Sequence, residues 1–185
     1  MKRLIASVAA LLLIAAAVAV TALLRRGVSA RDTPTRTEAF IARIVRRFAT
    51  PAAMRRARNP VPLDAAVLAE GRAHWADHCA TCHGNDGRGQ TEIGRGLYPK
   101  APDMRQPGTQ NLSDGELFSI IRNGVRLTGM PAFGDGSDDA DTWKLVHFIR
   151  HLPAVTPAEL EEMERLNPKS PAEYEEMKFL EGDRH

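Results

Sequence analysis

The sequence has only two cysteines in 185 residues, few aromatic side chains and almost no net charge. Two cysteines cannot form a disulfide framework or a four-cysteine zinc site. A net charge of +2 does not favour a nucleic-acid binder, and we expect no nucleic acid among the partners. Aromatic residues make up 5% of the chain, so we expect its core to depend on more than side chains.

Charge is distributed unevenly along the chain. The net charge is +4 over residues 1–30 and +6 over residues 31–60. It is −3 over residues 61–152 and −5 over residues 153–185. The length leaves room for one ordinary domain with extensions on either side. We predict a membrane anchor at 1–30, a basic amphipathic juxtamembrane segment and linker at 31–61, a folded domain at 62–152 and an acidic helical tail at 153–185.

Residues 4–24 contain no charged side chain. As a helix these residues would extend about 31 Å, which matches the roughly 30 Å hydrocarbon core of a lipid bilayer. The small residues Val28-Ser29-Ala30 resemble the cleavage site of a signal peptide. However, the pair Arg25-Arg26 separates the apolar run from that site, and the run is long for a signal. Both interpretations stay open, and we favour a retained anchor.

The basic segment that follows predicts an amphipathic helix. Thr35 and Glu38 have the spacing of a capping box, and Phe40, Ile44 and Phe48 recur at helical spacing with arginines between them. Such a helix beside an anchor would lie on lipid headgroups, or it would pack its apolar stripe on the folded domain. The pattern does not decide between these two interpretations.

The acidic tail contains two further capping boxes, formed by Thr156 with Glu159 and by Ser170 with Glu173. Each predicts a short acidic helix. We expect the glutamates to form a solvated face, and the alternative is a salt-linked contact with the arginine-rich segment.

Both cysteines belong to the run Cys79-Ala80-Thr81-Cys82-His83. Two thiols one helical turn apart can add to the two vinyl groups of one haem, and the adjacent imidazole then lies over the iron. A thioredoxin-like redox pair would need a βαβ pattern around it, and a zinc ribbon would need a second cysteine pair. The flanking sequence has neither feature, so the motif predicts covalent haem attachment.

Met130 is the candidate for the second axial ligand of the iron. It stands in Gly129-Met130-Pro131-Ala132-Phe133, and Pro131 restrains the preceding residue toward an extended conformation. The alternative is a methionine that only packs a turn. His147 and His151 are four residues apart and would share one face of a helix. They could bind a metal as a pair, but we expect solvated surface residues.

Residues 62–152 resemble a class I c-type cytochrome, an all-α fold with helices packed around one covalently attached haem. The resemblance rests on the haem motif, on Gly71 and Trp75 before it, on the Met130 loop, and on Trp143 and Phe148 in the last helix. In that family the first and last helices pack on each other. The anchor and the extra terminal helices resemble membrane-tethered bacterial variants.

The resemblance implies one haem c, bound through Cys79 and Cys82 with His83 and Met130 as axial ligands. It also implies a carbonyl acceptor for the second nitrogen of His83, for which we choose Pro99. Candidate partners of the haem propionates are Arg95, Arg122 and Arg126.

The resemblance further implies a one-electron carrier rather than an enzyme. Its domain would lie on the periplasmic side of the bacterial inner membrane, held by a single span. Its partners would be membrane or periplasmic redox proteins. The alternative is a haem enzyme or gas sensor in which Met130 is a displaceable ligand.

Overall fold

A computed structural model describes residues 2–27, 29–134 and 139–169 of the chain. These residues form helices and no β-strand, which confirms the predicted all-α fold. The α-helices are α1 (Lys2–Arg26), α2 (Arg36–Ala49), α3 (Ala52–Arg55), α4 (Ala65–His74), α5 (Ala80–His83), α6 (Glu92–Gly96), α7 (Pro107–Gln110), α8 (Asp114–Asn123), α9 (Asp139–His151) and α10 (Pro157–Leu166). A π-helical turn, Trp75–Cys79, joins α4 to α5, and a 3-10 turn, Leu152–Ala154, follows α9.

Helix α1 includes the predicted apolar run and extends it at both ends. Its segment Arg3–Ala22 has a mean hydropathy of 2.7, and none of that segment is buried against the rest of the protein. By length and composition it is suitable for crossing a membrane.

The centre of the folded domain is the crossing of α4 and α9. A Cβ atom on Gly71 would lie 2.5 Å from the carbonyl oxygen of Lys144, so only glycine lets the two helices approach this closely. One turn further along, the rings of Trp75 and Phe148 lie 5.7 Å apart, and both side chains are buried. The expected packing of the first helix on the last is therefore confirmed.

Helix α8 covers a second side of α9. A capping box of Ser113 and Glu116 begins this helix, and Gly124, with a φ of 63°, follows its last residue. Phe118 stacks on Trp143 with 4.2 Å between the ring centroids, which fixes α8 against α9.

The packed domain begins before residue 62, where we predict its start. The backbone of Met54 lies close to Gly115. A Cβ atom on Gly115 would overlap the carbonyl oxygen of Met54. The side-chain amide of Asn59 donates a hydrogen bond of 2.8 Å to the carbonyl oxygen of Trp143. The proposed linker is therefore fixed to α8 and α9, contacts that its proline-rich sequence does not reveal.

The first tail helix, α10, packs on the domain and not on the arginine-rich segment. Met163 is fully buried, and Arg72 of α4 makes salt bridges of 3.0 Å to Glu159 and 2.7 Å to Glu162. The prediction of a solvated face is therefore wrong for Glu159, whose side chain is 16% exposed, because burial of Met163 brings it against Arg72. The second predicted tail helix, with Ser170 and Glu173, lies outside the described residues.

Candidate haem-binding site

The cysteine motif spans the end of the π-helical turn and the whole of α5. Cys79 and Cys82 are both partly buried and form no disulfide. The indole N–H of Trp75 donates a hydrogen bond of 3.1 Å to the carbonyl oxygen of Gly84, just beyond the motif. This bond ties the helix before the motif to the loop after it, so the thiols and His83 are held on one short, fixed segment.

The chemistry of the thiols distinguishes between the functions considered for them. Burial, together with the charge of Cys82, raises the pKa of Cys79 to about 12. Redox-active dithiols have thiolates stabilised by lowered pKa values, which is the opposite behaviour. In the described part of the chain no group of three or more His, Cys, Asp or Glu side chains is arranged to hold a metal ion. The raised pKa of Cys79 is thus unlike that of an activated redox thiol.

His83 is a largely buried imidazole whose ring lies 5.7 Å from the ring of Trp75. Burial lowers its pKa, and a backbone interaction with Pro102 raises it to a smaller extent. The Nδ1 atom is buried and has no hydrogen bond of normal geometry. Low pKa favours the neutral ring, which is the form that ligates metal ions.

The backbone group that affects the pKa of His83 is that of Pro102, whereas Pro99 is exposed and stays a prediction for the acceptor. Both prolines lie in the same short loop, only three residues apart. The sequence alone does not show which of them faces the imidazole. The choice depends on how the loop folds back on the motif.

Glycines allow that loop to approach the motif closely. A Cβ atom on Gly94 would overlap the carbonyl oxygen of Cys82, and one on Gly89 would overlap the carbonyl oxygen of Ala101. The N–H of Gly89 also donates a hydrogen bond of 2.7 Å to the carbonyl oxygen of His83. Backbone therefore packs directly on backbone around the motif.

The loop that carries Met130 is held by hydrogen bonds between residues close in sequence. The N–H of Met130 donates to the hydroxyl of Thr128 at 3.1 Å, and its carbonyl oxygen accepts from the N–H of Val125 at 3.1 Å. Gly124 packs against Pro131, with only 2.6 Å from a built Cβ atom to the carbonyl carbon. Met130 is thus presented by a closed turn and is itself partly buried.

Two contacts bring the Met130 loop to the cysteine motif. On one side, a Cβ atom on Gly129 would lie 2.5 Å from the Leu97 side chain, which belongs to the loop that contains Pro102. On the other side, the ring of Phe133 lies 6.4 Å from that of His78, the residue before Cys79. The residues that flank Met130 therefore contact both the helix and the loop that surround His83.

The sequence of this region is similar to that of proteins of known type. Residues 66–149 match the family described as cytochrome c oxidase, cbb3-type, subunit III. A curated relative from Cereibacter sphaeroides, described as the cbb3-type cytochrome c oxidase subunit CcoP, is 55% identical over 93 residues. The domain is a class I c-type cytochrome. The aligned part is 48% of this chain and 29% of the relative, so it spans less than a third of that protein's length.

A covalently bound haem c is the prosthetic group of this family. The residues of the cytochrome domain fit such a group, because two unpaired thiols stand one helical turn apart beside a buried imidazole. The buried Nδ1 atom of His83 has no hydrogen-bond partner, and an axial histidine is expected to donate that N–H to an orienting acceptor.

The predicted propionate partners differ in their surroundings. Arg122 is engaged by both carboxylate oxygens of Asp139, each at 2.7 Å, which makes it a structural ion pair. Arg95 is exposed and donates a hydrogen bond of 2.6 Å to the carbonyl oxygen of Gln90. Arg126 is exposed, three residues before Gly129. Arg95 and Arg126 stay predictions for the propionates.

His147 and His151 do not act as a pair in the cytochrome domain. The Nε2 atom of His147 makes a hydrogen bond of 2.7 Å with the carbonyl oxygen of Val61, and that of His151 lies 3.0 Å from Glu159. Each ring therefore attaches a different flanking segment to α9. The expectation of solvated surface histidines is wrong here, because both rings are partly buried by those segments.

Proposed function

We propose that this chain is a membrane-anchored electron carrier whose cytochrome domain binds one haem c through Cys79 and Cys82. His83 and Met130 are its axial ligands. The observation that carries the proposal is the contact of the Met130 loop with His78, just before the motif, and with Leu97 in the loop that contains Pro102. A single Cys-x-x-Cys-His motif in the sequence supports one haem.

A bound haem would supply an iron that changes its charge by one electron. The protein's part is to hold the axial ligands so that they do not rearrange when the charge changes. His83 would be oriented by the loop around Pro102, and Met130 is offered by a turn closed by hydrogen bonds to Thr128 and Val125. Thioether ligation with burial stabilises the reduced state and raises the potential.

The partners follow from the relative and from the N-terminal helix. The relative is named as a subunit of a cbb3-type oxidase, and we infer that this chain passes electrons within or toward a membrane oxidase of that kind. Helix α1 would hold the domain at the bacterial inner membrane, on the periplasmic side, where haem is joined to such motifs. A tether confines the search for redox partners to a thin layer beside the membrane.

The experiment that tests the haem site uses the purified full-length protein and two matched variants. Met130→Leu and Met104→Leu each remove a thioether at nearly constant volume, and Met104 packs against the core outside the Met130 loop. We expect haem that survives denaturation in all three proteins. We expect loss of the far-red methionine–iron absorption band, with uptake of carbon monoxide by the reduced form, only in Met130→Leu.

An unchanged ferric spectrum and potential in Met130→Leu would disprove the ligand assignment. Carbon monoxide binding by the wild-type protein would instead support a haem enzyme or gas sensor with a displaceable Met130. Colourless protein with two reactive thiols would exclude haem attachment altogether.

A further inference from the structure

Helix α2 turns its apolar side away from the protein. Of its 14 residues, none is buried, and its large apolar side chains are 39% to 81% exposed. These are Phe40, Ile41, Ile44, Val45 and Phe48. An exposed apolar stripe of this length on one helix is unusual for a surface in contact with water only.

The opposite side of α2 is its less exposed side. Within the helix only Ala39 and Arg46 are partly buried, and Thr50 just after it is buried. At about 100° per residue, these three residues lie roughly opposite the centre of the apolar stripe. The less exposed side of the helix is therefore not its apolar side, the reverse of the usual arrangement on a soluble protein.

Specific hydrogen bonds hold α2 in this orientation. The hydroxyl of Tyr98, in the loop that contains Pro102, donates to Glu38 at 3.1 Å. At the other end, the guanidinium of Arg55 donates to the carbonyl oxygens of Arg47 and Thr50, at 2.7 and 2.5 Å. The apolar stripe thus remains outward and largely exposed.

Two observations identify what covers this stripe. Only nine residues separate α1 from α2, and nine residues extend at most about 30 Å, so α2 must begin close to the end of the membrane anchor. The helix also carries an excess of positive charge, with Arg36, Arg43 and Arg47 on one flank of the stripe and a single acidic residue, Glu38. Apolar side chains beside arginines match the boundary between acyl chains and anionic headgroups.

We propose that α2 is an interfacial helix, with its apolar stripe in the surface of an anionic lipid bilayer. The cytochrome domain is then held at the membrane by two elements, the span α1 and the interfacial helix α2. Because Tyr98 links α2 to the loop beside His83, the bilayer surface would also fix which side of the domain faces the membrane.

The test uses the full-length protein in nanodiscs of equal parts phosphatidylglycerol and phosphatidylcholine. A fraction of the lipid carries a diazirine near the top of the acyl chain, and irradiation attaches it to whatever residues it touches. Mass spectrometry of the digest then locates the adducts. We expect adducts in 36–49 at a level at least fivefold above those in α10, an acidic helix that serves as the internal reference.

Matched variants separate insertion of α2 from anchoring by α1. In Ile44→Glu/Phe48→Glu we expect adducts in 36–49 to fall at least fivefold, with adducts in α1 unchanged. In the control Ile44→Leu/Phe48→Leu we expect labelling of 36–49 to be retained. In nanodiscs of phosphatidylcholine alone, labelling of 36–49 should fall at least twofold because the arginines lose their counter-charges.

The proposal is overturned if wild-type α2 is labelled no more than α10, or if the double Glu variant keeps its label. Equal labelling in the two lipid mixtures would overturn the role of anionic lipid. The readout needs neither haem nor electron transfer, so its failure is distinguishable from failure of the proposed function.

Discussion

Helices α2 and α9 have nearly equal lengths, 14 and 13 residues, and both carry apolar side chains at helical spacing. In α9 six residues are buried, among them Trp143 and Phe148, whereas in α2 none is. The apolar pattern identifies a face in both cases. The pattern does not say what covers that face. The apolar face of α9 packs on α4 and α8, whereas that of α2 is turned outward. Periodicity alone therefore does not distinguish a core helix from a surface helix.

The sharpest test of this difference removes one phenylalanine ring from α9. Phe148 is fully buried against Trp75. We expect Phe148→Ala to lower the free energy of unfolding by about 3–5 kcal/mol, from lost burial and the cavity left behind. Urea unfolding of the full-length protein in detergent, followed by circular dichroism, measures the change. A loss below about 1 kcal/mol would contradict the assigned core.

A smaller effect is expected from adding one methyl group at the helix crossing. In Gly71→Ala the new Cβ atom would meet the Lys144 carbonyl oxygen, and we expect a loss of about 1–3 kcal/mol despite the better helix propensity of alanine. Gly96→Ala is the matched control, because no atom lies within 4 Å of its built Cβ atom. Equal melting temperatures for the two variants would show that α4 and α9 do not cross this closely.

The attachment of α10 should depend on pH through Glu159. Burial would raise the pKa of this carboxyl, but hydrogen bonds from Thr156 and His151 lower it from 4.5 to about 2. A lowered folded-state pKa gives stability that is present above pH 4.5 and is lost as the pH falls toward 2. We therefore expect Glu159→Gln to cost about 1–2 kcal/mol at pH 7, allowing for solvent screening, and progressively less between pH 4.5 and 2.

Urea unfolding of the wild-type protein and of Glu159→Gln at several pH values measures that difference. Glu161→Gln is the control, since the Glu161 side chain is 77% exposed and its salt bridge is to Arg165, four residues along α10. A cost that stays constant down to pH 2 would mean that the charge of Glu159 does not hold α10 in place.

The smallest effect on the free energy of unfolding is expected for Phe48→Ala, which removes a phenylalanine ring from α2 as Phe148→Ala does from α9. Phe48 is 81% exposed, so Phe48→Ala should change the free energy of unfolding in detergent by less than about 0.5 kcal/mol. The same urea measurement serves here. A loss comparable with that of Phe148→Ala would show that α2 packs its apolar side on the protein after all.

Features encoded by neighbouring residues were predictable from the sequence. The capping boxes of α2, α8 and α10 form as their spacing predicts, because their hydrogen bonds span only three residues. The glycine at the crossing of the first and last helices was also predictable, through resemblance to the family. Predictions of this kind depend on interactions between residues close in sequence or on resemblance to a known fold.

Features that depend on distant residues were predicted less well. The sequence offers Pro99 and Pro102 in one loop, and only the close approach of that loop at Gly94 brings Pro102 to His83. The same limit applies to α10, whose glutamates resemble any solvated acidic face until Met163 is buried and Arg72 meets them. No local pattern encodes a contact across some ninety residues, such as the one between Arg72 and Glu162.

By itself the sequence determined the thiol spacing of Cys79 and Cys82, the imidazole beside them and an N-terminal helix of membrane length. These follow from helical geometry, which fixes where residues a few positions apart must lie. The tertiary structure alone decided that Pro102 is the proline whose backbone affects the pKa of His83, how the Met130 loop meets the segments around the motif, and that α2 faces outward. Those outcomes depend on packing among segments far apart in the chain, where the shape of one surface selects the orientation of another.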